Sequence, residues 1–378
     1  MILQLDSAIA ANRRFVFDLR GVRFVAVNLV EYAVQEAAKD GLLHCTLTLI
    51  TPNTLTAPPE ETEGESMTLK LVLKTPNNRI ILSDRIASFV LEKEAYTPYS
   101  QLRIVVYGAL EPELYAQVYR VQLLLDETEL HLGTVEQCQT TRQQGIVYIQ
   151  IVSRGLTAML LQNQLTPGLH SGMSLDRLMT GFYSFPQEIT WERSTDASNY
   201  LYVKENTSMW DGLANLSYKL YERYPFIRGA NEIRMHLPDT YQHYVAKDNS
   251  LLAAGTATDQ SLLYSDFYMA DVDGTYEKFH EAEPEAAARG IVRTKQLALD
   301  RQYLYDPQQA LVFRRKFAGR RLMRRFVDVI GPVGLSLGDR LSYGTVLQEA
   351  AITRIRMSGN QKGIRTRLEA YTDGFYPA

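Results

Sequence analysis

The feature that most constrains this chain is its density of short apolar runs, each broken by turn residues before reaching helical length. Residues 14–19 (RFVFDL) and 23–30 (RFVAVNLV) alternate apolar and polar residues imperfectly around Gly21-Val22. A further run at 42–50 follows the turn pair Asp40-Gly41. The pattern continues at 67–73, 80–82, 87–91, 102–107, 117–125, 130–135 and 146–152. Period-two alternation buries one face of a strand, and many short strands at this spacing predict a barrel or sandwich. The stretch 57–65 (APPEETEGE) is acidic and contains proline, so a solvated loop is expected near 57–66 within this first module.

The period changes after Gly155. Leu156, Met159 and Leu160 fit a short helix stopped at Thr166-Pro167-Gly168, and Ser174 is placed to cap a second one. Ser208 (or Thr207) with Asp211 opens the clearest helix, whose apolar Leu213, Leu216, Leu220 and Tyr221 recur at helical spacing before Pro225. A strand is expected at 233–237. Strand and turn text follows at 261–269, at Asp273-Gly274 and at 292–299. A basic helix is predicted over 306–325, then strands at 326–330, 339–342, 348–357 and 364–371. The expected division is a β-module over 1–155, a small α+β module over 156–245, and a second β-module over 246–378 that includes the basic helix. A chain of 378 residues is long enough for more than one core.

Composition narrows the classes of function. Hydrophobic residues at 46% and charged residues at 22% describe an ordinary folded chain, and a net charge of -3 supplies no global attraction to nucleic acid or anionic lipid. Cys45 and Cys138 are far apart in strand-like runs and read as small buried hydrophobes, which suits synthesis in a reducing compartment. The N-terminus lacks the pattern of a signal peptide, and no run is apolar for long enough to anchor the chain in a membrane. Tyrosine, at 23 residues, is over-represented and suits both strands and interfaces.

Catalytic and metal-binding patterns are weak throughout, and neither enzyme activity, cofactor nor metal is expected. Gly168-Leu169-His170-Ser171-Gly172 has the wrong spacing for a nucleophile elbow and reads as a loop. Asp271-Val272-Asp273-Gly274 begins like a calcium loop, but Tyr276 stands where glycine is required. The six histidines show no ligand spacing, and His44, His131 and His236 sit within strand patterns as structural groups. Gly331-Pro332-Val333-Gly334 lacks the lysine of a phosphate loop. Glu188 and Glu192, beside Trp191, are the best carboxylate pair for glycoside hydrolysis.

The basic run is the main candidate for a binding surface. Arg314, Arg315, Lys316, Arg320, Arg321, Arg324 and Arg325 would spread around more than one face of a continuous helix. Such a helix is either a solvated face or a charge-complementary protein contact, with nucleic acid a lesser alternative.

Several segments taken in order resemble the baseplate hub family of contractile phage tails, which includes the Mu-type 43 kDa tail hub and the late control protein D group. The segment 121–135 (VQLLLDETELHLGTV) is similar to that family's strand, acidic turn and strand ending near glycine. Residues 147–160 resemble its strand-to-helix passage, although glycine and arginine are rearranged and the acidic residue is absent. Residues 208–227 resemble its central helix. The closing order is also similar: a helix from 308, a strand at 326–330, the Gly338-Asp339 turn, and GIRTRL at 363–368. Residues 52–80 and 240–295 carry no such likeness.

The resemblance implies an α+β, β-rich protein with two tail-tube-like β-barrel modules and an α/β module between them. It also implies a structural hub in which three chains form a ring that adapts a sixfold tail tube to a threefold central spike. Tube protein, spike protein and tape-measure protein are then the expected partners, with nucleic acid met only in passage through the channel. The expected location is the tail or baseplate of a virion or injection particle, assembled in the bacterial host cytoplasm. Two other readings stand beside it: a tail-borne cell-wall hydrolase using Glu188 and Glu192, and a carbohydrate-binding tail module using Trp191, Trp210 and neighbouring tyrosines.

Overall fold

The computed structural model describes the strands within residues 14–49 and 79–82 by their backbone, and otherwise residues 69–376 except 77–78, 83–84, 108–114, 144, 300–305 and 361. Residues Met1–Ser66 form one compact unit and Met67–Ala378 another. In the first, strands β1 (Arg14–Leu19) and β2 (Val22–Val27) form one antiparallel hairpin. Strands β3 (Leu29–Glu36) and β4 (Leu43–Leu49) form a second. The expected loop at 57–66 and the side chain of Cys45 lie outside the described residues.

The second unit is built on one sheet. Its first strands are β5 (Leu69–Lys74), β6 (Arg79–Leu82), β7 (Ile86–Glu94) and β8 (Gln101–Tyr107). Next come β9 (Arg120–Leu125), β10 (Thr128–Gln143) and β11 (Ile146–Gly155). The alternation in β8 is clean: Leu102, Ile104 and Val106 are buried while Arg103 faces solvent. Ile149 and Ile151 of β11 fall on the same buried side. Such half-buried strands are what the period-two pattern requires.

The middle segment follows the capping signals. Leu156–Ala158 is a turn of 3-10 helix leading into the helix Met159–Gln162. The Ser174 hydroxyl accepts from the Arg177 amide at 3.2 Å and opens the helix Leu175–Gly181. Ser208 likewise accepts from the Asp211 amide at 3.1 Å, and the helix Met209–Tyr221 ends on Glu222 in a left-handed conformation. Met209, Trp210, Leu213 and Leu216 pack into a core with Leu156, Leu160, Leu178 and Ile233.

Short strands complete this region: β12 (Gly168–Ser174), β13 (Thr190–Trp191), β14 (Ala197–Val203), β15 (Phe226–Arg228) and β16 (Glu232–Arg234). The stretch 168–172, expected as a loop, is part of β12, because pairing with β14 supplies its backbone partners. The strand expected at 233–237 is confined to β16.

Beyond it lie β17 (His243–Val245), β18 (Leu251–Thr258), β19 (Asp266–Met269), β20 (Phe279–Ala282), the helix Pro284–Ala288 and β21 (Thr294–Leu297). The chain ends with the helix Pro307–Gly319 and with β22 (Met323–Ile330), β23 (Arg340–Tyr343), β24 (Leu347–Ala351), β25 (Arg354–Asn360) and β26 (Gly363–Tyr371).

Two expectations about the C-terminal region need correction. The single strand expected at 348–357 is two strands, β24 and β25. Ile352 donates to the Asp339 carbonyl and Thr353 to that of Glu369, each at 2.8 Å, so the chain leaves one sheet and enters another at this point. The helix expected over 306–325 stops at Gly319. Glycine weakens helix propagation, and from Met323 onward the backbone is paired by β18 on one side and β26 on the other.

These last strands join the first ones. The order across the sheet is β18-β22-β26-β25-β7-β8-β11-β10-β9-β5-β6, eleven strands, all antiparallel neighbours. The architecture is therefore α+β and β-rich, with a large antiparallel sheet.

Candidate functional site

The shared sheet places its polar residues in rows. Cross-strand pairing runs continuously from Asp328 through Arg367, Arg356, Glu92, Gln101, Arg154, Thr134 and Arg120 to Lys74. Residues opposite one another in adjacent strands share a face, so this register alone makes one face polar. Much of the charge is neutralised in place. Arg154 lies 2.6 Å from Glu136, Arg120 2.6 Å from Glu188, and Arg356 3.4 Å from Glu92. Asp328, 1% exposed, pairs with Arg365 and lies 3.7 Å from Arg367.

The seven basic residues singled out from sequence are distributed over three structural settings. Arg314, Arg315 and Lys316 lie on the helix Pro307–Gly319, Arg320 and Arg321 in the turn that follows, and Arg324 and Arg325 on β22. Arg315 is 2.8 Å from Glu283 and 3.4 Å from Glu281. Arg321 reaches Glu94 of β7 at 2.5 Å, and Arg324 reaches Glu369 of β26 at 2.8 Å. Arg320 donates to the Phe317 carbonyl at 2.6 Å and covers the Phe317 and Tyr96 rings. Arg325 donates to the Val346 carbonyl at 2.5 Å, and Arg314 lies over the Tyr224 ring. Lys316 is exposed. The run thus ties the helix and the turn to the sheet as well as presenting charge to solvent.

The acidic candidates are each committed elsewhere. The Glu188 carboxyl is held below the usual range by a backbone hydrogen bond and by Arg120. Glu192, with 8% of its side chain exposed, lies 2.9 Å from His236 Nδ1 and 3.6 Å from Arg234. A glycosidase requires a proton-holding acid facing a second carboxylate, and Glu188 is biased the opposite way.

The remaining candidates have structural partners. Asp271 accepts from the amides of Asp273 and Thr275, closing a turn. His170, His243 and His280 bond to the Thr166 carbonyl, the Ser342 hydroxyl and Asp266. Among the described residues, no group of three or more His, Cys, Asp and Glu is placed to hold a metal ion. No helix among them is long and apolar enough to cross a membrane. Cys138 is half-buried, not buried as expected, because only part of the long strand β10 faces the core; its thiol approaches the Tyr115 carbonyl at 3.4 Å. Trp210 is 8% exposed within the helical core, which removes it as a surface platform, whereas Trp191 borders a cavity.

The hydrogen-bonded structural role expected of His131 is met in a buried polar cluster whose other members the sequence reading did not single out. His131 lies between the Ser100 hydroxyl, 2.7 Å from Nδ1, and the Ser153 hydroxyl, 2.9 Å from Nε2. Burial, with the charge of Lys93 adding to it, pushes the imidazole down to about 3. Lys93 donates to the Gly229 carbonyl at 2.9 Å, and burial brings its ammonium down to about 8. Gly155 backs onto Ser100, and Asn231 donates to the Leu132 carbonyl at 3.0 Å, so the cluster joins the sheet to the middle segment.

Comparison with solved structures gives this fold a context. The sequence matches no family model and no curated protein. The fold is shared with the 43 kDa tail protein of prophage MuSo2 from Shewanella oneidensis, with a TM-score of 0.59 at 12% identity, covering 80% of this chain and 98% of that one. It is shared equally with a tail protein from Neisseria meningitidis MC58, with a TM-score of 0.59 at 12% identity, covering 82% and 98%. The fold is one that these two tail proteins also adopt. The likeness to the Mu-type 43 kDa tail hub read from the order of sequence motifs is thus met in the fold, over most of both chains.

Proposed function

We propose that this chain is a structural, non-enzymatic hub of a phage tail or phage-derived injection particle, working by assembly. In this reading three copies close into a ring that joins a sixfold tube to a threefold central spike. Each chain contributes two tail-tube-like barrel modules on either side of the α+β segment, with the divisions near 155 and 245. Tube and spike proteins are its neighbours, and tape-measure protein or nucleic acid passes through the ring.

One observation carries this reading beyond the fold likeness. The eleven-stranded sheet ends in two dissimilar strands, β18 and β6. Strand β18 (LLAAGTAT) carries no charge, and among the described residues it pairs only with β22. Leu252 is 51% exposed, and Ala254, Thr256 and Thr258 are also exposed. An uncharged edge of this length invites pairing, and natural monomers blunt such edges with charge or proline. Contact between unlike edges is heterologous and closes into a ring when the rotation permits.

Native mass measurement of the purified chain, alone and with a tube protein, tests the reading. A trimer or a multiple of it is expected. A monomer under every condition, with no uptake by tube protein, overturns the ring.

A further inference from the structure

We propose that the cavity between the helix Leu175–Gly181 and strand β13 binds a pyranose saccharide, a function separate from ring assembly. The cavity measures about 790 Å³ and has walls that include Tyr183, Phe185 and Trp191. That volume is within the range of small-ligand sites, and its mixture of aromatic walls with a few polar groups is typical of them.

The platform is fixed before any ligand arrives. Trp191 Nε1 donates to Asp176 Oδ1 at 2.5 Å, which holds the indole against the helix. The Tyr183 hydroxyl donates to the Gln164 carbonyl, and its ring lies 6.0 Å from that of Phe185. Rings held in this way lose little conformational freedom on binding.

The polar lining selects among possible occupants. Gln187 and Arg193 present an amide and a guanidinium, planar groups able to bond two neighbouring hydroxyls at once, and Asp176 adds the carboxylate oxygen that Trp191 does not engage. A pyranose offers such hydroxyl pairs around its rim and C–H faces that lie flat on aromatic rings. A purely apolar occupant would strip water from Asp176 and Arg193 without replacing their hydrogen bonds.

Chitotriose, cellotriose and maltotriose are suitable probes, with a polyproline peptide as the competing occupant. The chain has 2 tryptophans, and Trp191→Phe leaves buried Trp210 as the sole indole, so an emission change can be assigned. At least one trisaccharide is expected to change Trp191 emission saturably. Binding should weaken about tenfold or more in Asp176→Ala and in Arg193→Ala, exposed positions where folding is checked by thermal melting. The proposal is overturned if no trisaccharide acts at concentrations up to about 10 mM, a very weak affinity. It is equally overturned if both variants bind as the parent does, or if only the peptide binds.

Discussion

The guanidinium of Arg324 lies 2.8 Å from the carboxylate of Glu369, across the adjacent strands β22 and β26. Glu369 is 4% exposed and is also approached by Arg367 at 3.5 Å and Arg354 at 3.9 Å. One acid therefore serves arginines from three strands. Glu369→Ala takes from Arg324 its carboxylate partner and leaves Arg367 and Arg354 with only Asp328 and Glu92, and a loss of about 3 kcal/mol is expected in urea unfolding. Glu369→Gln, which keeps the shape and some hydrogen bonding, should lose less.

His131 should make the protein acid-sensitive. The imidazole is held down at about 3 in the fold, against 6.5 when unfolded. Between those values the unfolded chain binds the extra proton, so stability falls as pH drops below 6.5, by at most about 1.4 kcal/mol per pH unit. Urea midpoints at pH 7, 5 and 4 measure this slope. His131→Gln should flatten it, whatever its own effect on stability at pH 7.

Lys93 acts in the same direction in an alkaline window. Its ammonium titrates near 8 in the fold and at 10.5 when unfolded, so stability should rise between pH 8 and 10.5 as the folded lysine sheds its proton. Lys93→Met removes that rise. It should also raise stability at neutral pH by about 2 kcal/mol, the desolvation relieved less the lost bond to Gly229. Calorimetric melting at pH 7, 9 and 10 reads both effects.

Gly133 faces Gly155 across β10 and β11. A Cβ at Gly133 would stand 2.2 Å from the Arg154 carbonyl oxygen and 2.7 Å from His131 Nε2. The first contact is backbone and cannot swing aside. Gly133→Ala should therefore cost about 3 kcal/mol or more, seen as a lowered melting temperature or loss of folded protein.

The edge strand β18 offers a direct test of assembly. Ala254→Lys and Thr256→Lys place charge at exposed positions without entering the core. Each variant should keep the parent melting behaviour of the isolated chain while shifting the mass distribution toward monomer. Light scattering at matched concentrations distinguishes the two effects.

Much of the local structure was legible beforehand. Ser174 and Ser208 cap the helices they were expected to cap, and β8, β11 and β26 lie where alternation placed them. The basic run was visible as composition but not as geometry. Helical spacing says nothing of Glu94, Glu283 and Glu369, which lie far away in sequence and pair with Arg321, Arg315 and Arg324. His131 looked like any strand histidine, since Ser100 and Ser153 come from other strands. The cavity wall beside β13 was half seen, through Trp191 and its neighbouring tyrosines but not through Asp176 or Arg193.

What the sequence by itself determined about this protein is its local vocabulary: period-two strands, capped helices, and motifs in the order of a tail hub. These depend on backbone preferences and burial patterns spread over a few neighbouring residues. Only the tertiary structure decided that β25 pairs with β7, bringing Arg356 opposite Glu92 and joining the two ends of the second unit in one sheet. A strand's alternation specifies which face is buried but not which edge it will meet; that choice depends on packing between residues far apart along the chain.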